Sequence, residues 1–403
     1  MEERYHCIGK CFRLRKRLCR SIGKGVCRLR ICYFSFLIFV SCAKVTDARN
    51  EEIQNSLQKV CARKIELKYA KKFSIFESEY GYVLHIFHDD SPQQFLRYYL
   101  VRNDTVKTPN DGVKINIPIS RLATNTSTIF EFVRMLDCLS TLKATCAEEY
   151  IYSSDICRMM RDGKIQPLGN SYNLNREILL SVSPDLLLLS DYSDTPKGLS
   201  LPMLYSFEWK EVNALARAEW IKLWGVLYDK CALADSLFQA TEKRYLALKE
   251  LVDNQVSDRP TLFAGGSYSG TWYLTGGEGF MAEVYADAGA NFLLKDSAIT
   301  TISCGLEWLL LKFSESEYWL NCGDFSMDNW DNRLRHLKSV QNGNVYHFMK
   351  RSKRDGGIGI SDFYESAVAH PDIILADVIS IIHPQLLPSY ERVYADKCEE
   401  EER

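Results

Sequence analysis

The sequence predicts an α/β protein with two Rossmann-like lobes joined by a long interdomain helix, behind a small N-terminal β segment. Three observations point there. Strand-length apolar runs alternate with helical patterns in two separate stretches, the signature of sheets covered by helices. Between the stretches lies one helical pattern of about 25 residues, roughly 37 Å long at 1.5 Å per residue. The chain has 403 residues, 46% of them apolar and 25% charged, enough for two packed domains and incompatible with a disordered chain.

The first forty residues stand apart. Residues 1–41 hold ten Lys/Arg against two Glu, so residues 42–403 carry 40 basic against 50 acidic side chains. An acidic body excludes a nucleic-acid surface, which needs a basic stripe for phosphates. The basic head (Arg13 to Arg30) leads into the apolar run Ile31–Val40 and then Ser41-Cys42. Ten apolar residues span roughly 15 Å as a helix, half of what a bilayer crossing requires. Basic head, short apolar core and small residue together read as an export signal.

The remaining elements follow in order. Residues 42–65 are polar and suit a tether and the start of a first helix. From Tyr69 to Tyr99 aromatic and polar residues alternate, and Asn103-Asp104 and Pro109–Gly112 supply turns, which predicts a small antiparallel β segment. Val113–Ile119 reads as the first strand of a strand-then-helix series, and Ser127–Cys138 as its helix. Pro184–Ser190 is a continuous apolar run, as expected of a buried parallel strand, and Leu204–Phe207 is another strand. Ala214–Tyr228 reads as one helix and Lys230–Gln255 as the long one, with Leu233, Leu237, Ala240, Tyr245, Leu248 and Val252 on its apolar face. Arg259-Pro260 resets the chain. Strand Thr261–Ala264, a Gly-rich loop to Gly279, helix Phe280–Ala288, strand Tyr318–Asn321, helix Asp331–Val340 and strand Asn344–His347 then repeat the pattern. The expected division is signal peptide 1–41, tether 42–65, first lobe 66–229, interdomain helix 230–256, second lobe 257–396 and charged tail 397–403.

Chemistry-bearing residues are sparse. Nine Cys follow Ser41 without a CxxC pair, and the seven His form no HxxH or HExxH cluster, so a zinc, redox or metalloenzyme centre is unsupported. Disulfides among Cys138, Cys146 and Cys157 and buried thiols are equally compatible with the pattern. Gly276–Gly279 lacks the Lys-Ser/Thr of a phosphate loop and carries Glu278, so a turn into the next helix is expected instead. The apolar run ending at His383-Pro384 reads as a buried strand with a structural terminus. Ligand clefts in α/β proteins form beyond the carboxyl ends of strands. Those ends deliver Trp209 in the first stretch, and Tyr268, Trp272 and Tyr273 in the second. Arg217, in the helix start after Trp209, is the best cation candidate. Aromatic walls with one cation suit a flat, acidic ligand.

Four segments carry a family resemblance: Asn173–Leu188, Glu208–Lys222, Gly270–Glu278 and Pro371–Pro384. Over about residues 66–396 the chain resembles the substrate-binding proteins of ABC importers for iron chelates, haem and corrinoids. Leu37–Ser41 before Cys42 is similar to a relaxed bacterial lipobox, departing at Phe39, and implies lipidation at Cys42. The resemblance implies an exported, lipid-anchored protein on the periplasmic face of the cell envelope. Its partners would be an ABC permease with its ATPase, and iron or cobalt would arrive only inside the ligand. If that ligand is haem, Tyr268 is the candidate axial oxygen. Family members dock through one Glu per lobe, which here corresponds to Glu177 and Glu307. Two other readings stay open: a tetrapyrrole metal chelatase on the same frame, and a scavenging lipoprotein without a permease.

Overall fold

The computed structural model describes residues 61–88, 94–171, 173–323, 331–355 and 358–398. The export signal, Cys42, most of the tether and most of the charged tail lie outside them.

An N-terminal sheet is built from β1 (Cys61–Lys64), β2 (Phe73–Ser78), β3 (Gly81–Ile86), β4 (Leu96–Val101) and β5 (Val113–Asn116), in that spatial order. β2, β3 and β4 are antiparallel, as the alternating pattern predicts. β5 pairs parallel with β4, so the strand expected to open the first lobe closes this sheet instead. One buried core runs from the sheet into the helices below, with Phe73 against Trp220 at 4.8 Å. Carboxylates fix the crossing segment 68–72. Glu219, fully buried, accepts from the backbone N–H groups of Lys68, Tyr69 and Ala70 at 2.8–2.9 Å. Glu211 accepts from Lys72 N and Trp220 Nε1, and Glu242 from Tyr69 Oη.

The first parallel sheet has the order β10-β9-β6-β7-β8, with β6 (Leu122–Thr124), β7 (Leu142–Thr145), β8 (Gln166–Pro167), β9 (Leu186–Leu189) and β10 (Met203–Tyr205). All four pairings are parallel, and every residue of β9 is buried, which is why its sequence is unbroken Leu. Its helices are α1 (Phe130–Met135), α2 (Ser154–Arg161) and α3 (Arg176–Val182). α3 starts where Asn175 Oδ1 accepts from Glu177 N and Ile178 N, and ends at Ser183 in the left-handed region.

The expected helix 214–228 is two, α4 (Ala214–Glu219) and α5 (Ile221–Leu227), which meet at Trp220. α6 (Cys231–Gln255) is the long helix. Its buried residues are Ala234, Phe238, Thr241, Glu242, Tyr245 and Val252, so Tyr245 and Val252 face inward as expected while the first half of the stripe is shifted by one position and Leu233 is exposed.

The second sheet has the order β14-β12-β11-β15-β16-β19, with β13 beside β11. Its strands are β11 (Thr261–Tyr268), β12 (Thr271–Thr275), β13 (Asn291–Phe292), β14 (Thr301–Cys304), β15 (Tyr318–Leu320), β16 (Val345–His347) and β19 (Asp396–Lys397). β17 (Ser352–Asp355) and β18 (Ile358–Ser361) form a separate hairpin. The expected Gly-rich loop after residue 264 is therefore largely strand. β11 continues into an antiparallel hairpin with β12, turned by Ser269 and Gly270, both at positive φ. The helices are α7 (Phe280–Asp287), α8 (Leu306–Phe313), α9 (Lys338–Gln341) and α10 (Pro371–Ile382). The helix expected from Asp331 opens as a 3-10 turn at Asn332–His336. α10 corrects the strand expected before His383. Ten of its twelve residues are buried, so apolar residues occupy nearly every side and mask the helical period. Asp377 of α10 accepts from Tyr390 Oη, Val393 N, Tyr394 N and Ala395 N at 2.6–2.9 Å, which holds the last strand in place.

Cys138, Cys146 and Cys157 are buried thiols and form no disulfide. Among the described residues, no helix is long and apolar enough to cross a membrane.

Candidate functional site

The carboxyl edge of the first sheet faces residues of the second half of the chain. α1 and α2 start just beyond the carboxyl ends of β6 and β7, and both starts meet segment 362–370. Glu131 of α1 lies 2.9 Å from His370 Nε2. Burial pushes the Glu131 carboxyl up, but His370 and Arg134 more than offset that and leave it below its ordinary value. Glu365 accepts from the backbone N–H groups of Tyr152 and Ser153 ahead of α2. A third tie joins α4 to α7. Glu283 accepts from Asn213 Nδ2 at 2.6 Å and from Ala214 N at 2.9 Å, while Asn213 Oδ1 caps α4 at Ala216 N.

Beside that third tie lies Arg217. Its guanidinium covers the Phe280 ring at 4.0 Å, and its Nε is buried without a hydrogen-bond partner. Among the described residues it makes no ion pair, because the nearby acids are engaged elsewhere. Glu208 accepts from Thr128 Oγ1 and Ser206 Oγ, and Glu211 holds segment 71–72. Burial lowers the Arg217 pKa, opposed by Glu208 and Glu211, but guanidinium stays protonated in proteins. The side chain keeps partial exposure. Arg217 is thus a cation with aromatic backing and no carboxylate partner, set between the two halves.

The aromatics separate into two groups. Trp209 is half-buried, with its Nε1 donating to Ser190 O at the end of β9 and Lys210 Nζ over its ring at 5.1 Å. Tyr268, at the hairpin tip, is 75% exposed, and Tyr273 is also exposed. Trp272 is a correction: it is only 6% exposed and packs on Trp319 at 5.6 Å. Alternation along β12 turns Trp272 and Leu274 inward and Tyr273 outward. Packing, and not ligand stacking, is the role its surroundings support. The glycines 276–279 cradle nothing: Gly276 N, Gly277 N and Glu278 N donate to Thr300 O, Asp296 Oδ1 and Ala298 O. Among the described residues no group of His, Cys, Asp and Glu is arranged to hold a metal ion.

Residues 152–351 match the family model of the periplasmic binding proteins. That segment, just under half of the chain, belongs to the family. It is 22% identical over 360 residues to an uncharacterised lipoprotein of Methanocaldococcus jannaschii, covering 79% of this chain and 82% of that one. In fold it is similar to the periplasmic vitamin B12 binding protein of Vibrio cholerae, with TM-score 0.50 and 16% identity over 66% of this chain and 96% of that one. A periplasmic solute binding protein of Veillonella parvula gives TM-score 0.50 and 14% identity over 68% and 83%.

The two family-implied acids lie within the matched segment and sit on matching helices. α3 leads into β9, which neighbours β6, the first strand of its sheet. α8 leads into β15, which neighbours β11, the first strand of the other. Glu177 and Glu307 lie in the first turns of these helices and are exposed. One turn further along, on the same face, stand Leu180 at 64% and Leu311 at 85% exposure. The Glu307 carboxyl is held below its ordinary value first by its own backbone N–H and then by Arg333, which pairs with it at 2.9 Å.

Sequence reasoning missed the His88 cluster. His88 stacks on Tyr192 at 4.8 Å, and Lys210 Nζ meets its Nε2 at 2.6 Å beside Trp209. Lysine ammonium can only donate, so that contact places the imidazole proton on Nδ1. Nothing in local spacing joins residue 88 to residue 210. The tie of Glu365 to α2 is equally invisible, because 212 residues separate its partners.

Proposed function

We propose that this periplasmic binding protein captures a metal chelate outside the cytoplasm and passes it to an ABC permease and its ATPase. The chelate classes are ferric siderophores, haem and corrinoids. The observation that carries the reading is Arg217, an acid-free guanidinium backed by Phe280 between the two halves. It would meet a ligand carboxylate, while half-buried Trp209 and the exposed rings of Tyr268 and Tyr273 offer stacking surface. The Vibrio cholerae protein of similar fold is a vitamin B12 binding protein, which supports the corrinoid member of that list. The chelatase alternative is set aside, since the family is one of binding proteins and not enzymes.

Lipidation at Cys42 would hold the protein at the membrane surface, and the lipoprotein name of the archaeal relative supports it. Glu177 and Glu307 would each face a permease Arg, with Leu180 and Leu311 as apolar contacts one turn away. Surface ion pairs are weak singly but count when desolvated at an interface. The test is Glu177→Arg with Glu307→Arg in cells lacking the wild-type gene. Uptake of ferric chelates, haem or cobalamin should fall to background, with ligand affinity in solution unchanged and intermediate uptake for each single change. Normal uptake by the double variant would sink the docking assignment of Glu177 and Glu307. Lost ligand binding would place these carboxylates in a ligand site.

A further inference from the structure

Segment 362–370 crosses between the two halves. Val368 and Ala369 belong to the core of the first sheet, whereas Ala367 belongs to that of the second. At this crossing lies Glu365, buried, with its two oxygens on the backbone N–H groups of Tyr152 and Ser153. The groups around it are few. From α1, Arg134 donates to Ser153 Oγ at 2.8 Å and pairs with Glu131, which in turn meets His370. From its own segment, Asp362 is paired with Arg351 at 3.0 Å. From the end of β7, the buried Cys146 thiol feels the same carboxyl. No cation is paired to Glu365 among the described residues, and Asp362 adds a like charge.

We propose that Glu365 is a proton-operated latch at the lobe crossing: uptake of one proton there tightens the packing of segment 362–370 on α2, and its loss loosens it. An ionised carboxylate without a cation is costly to keep from water. Backbone N–H donors offset part of that cost, and opening the crossing would remove it by hydration. Burial is the largest influence and pushes the carboxyl up to about 7, with Asp362 adding and the two N–H donors and Arg134 opposing. A raised value means that the packed form binds the proton more tightly than the open or unfolded form. The penalty is therefore absent at pH below the ordinary value of 4.5, grows as pH rises towards 7, and is fully present above it. Glu131 works oppositely, since its lowered value gives stability that is lost only as pH falls through the acid range. The other groups at this crossing, His370 and Glu131 among them, are shared by the wild type and a variant changed only at residue 365, so the difference between the two isolates Glu365.

The experiment compares the wild type with Glu365→Gln, which keeps shape and one acceptor but cannot ionise. Thermal unfolding from pH 5 to pH 8 should show the wild type losing about 2–5 °C more than the variant, on the usual scaling for a chain of this size. Parallel profiles would overturn the latch. Hydrogen exchange of residues 151–157 in the wild type alone, corrected for intrinsic rates, gives an independent reading. Protection there should fall several-fold between pH 6 and pH 8 relative to α10. Protection that stays level or rises would overturn the proposal whether or not the variant folds.

Discussion

Trp272→Ala is expected to cost about 3–5 kcal/mol of stability, the range for removing a buried aromatic from a packed core. The indole faces Trp319, whose own Nε1 donates to Gly265 O at 2.7 Å, and Trp319 stacks on Phe263 at 5.4 Å. Removing it opens a cavity against the Trp319 ring, which its own hydrogen bond and stacking hold in place. Denaturant unfolding should show a lower midpoint with an unchanged slope. Trp209→Ala should move that midpoint far less, because its ring is half in solvent. Equal losses for the two would mean that Trp209 is a core residue as well.

Glu219→Ala should be as damaging, by about 3–5 kcal/mol, the cost of breaking a buried charged network. Three consecutive backbone N–H groups and Lys222 Nζ rely on this carboxylate. Without it the donors of segment 68–70 lose their acceptor in a place water reaches poorly. The segment carries the N-terminal sheet, so its failure should show as early proteolytic cleavage near residues 66–72 under native conditions. Glu219→Gln retains one acceptor oxygen and should recover part of the loss. A native cleavage pattern in Glu219→Ala would show that another group takes over those donors.

Much of this architecture is legible in the chain because local pattern and tertiary environment agree. The Leu run of β9, the long α6 and the strands at residues 318 and 345 all fall where the residues suggest. The failures share a cause. α10 looks like a strand because burial on nearly all sides erases the helical period. The β11–β12 hairpin looks like a loop because its turn needs Ser269 and Gly270 at positive φ. β5 joins the wrong sheet by expectation because strand order is a tertiary fact. For the site, Arg217 is legible as a cation following an aromatic at a strand end. Its Phe280 backing, the inward turn of Trp272 and the Glu365 crossing are not, since each depends on residues far apart in sequence.

The central claim is that the face between the two halves binds a metal chelate through Arg217 and Trp209. It is tested most directly by titrating the purified protein with haemin, a ferric catecholate and cyanocobalamin, following tryptophan fluorescence and ligand absorption, in wild type, Arg217→Ala and Trp209→Ala. The account predicts one-to-one binding of at least one chelate by the wild type. Either substitution should weaken it by about 1–3 kcal/mol, roughly five- to 150-fold, with little change in the ligand-free unfolding midpoint. No binding of any of the three, or binding that both variants retain in full, would contradict it.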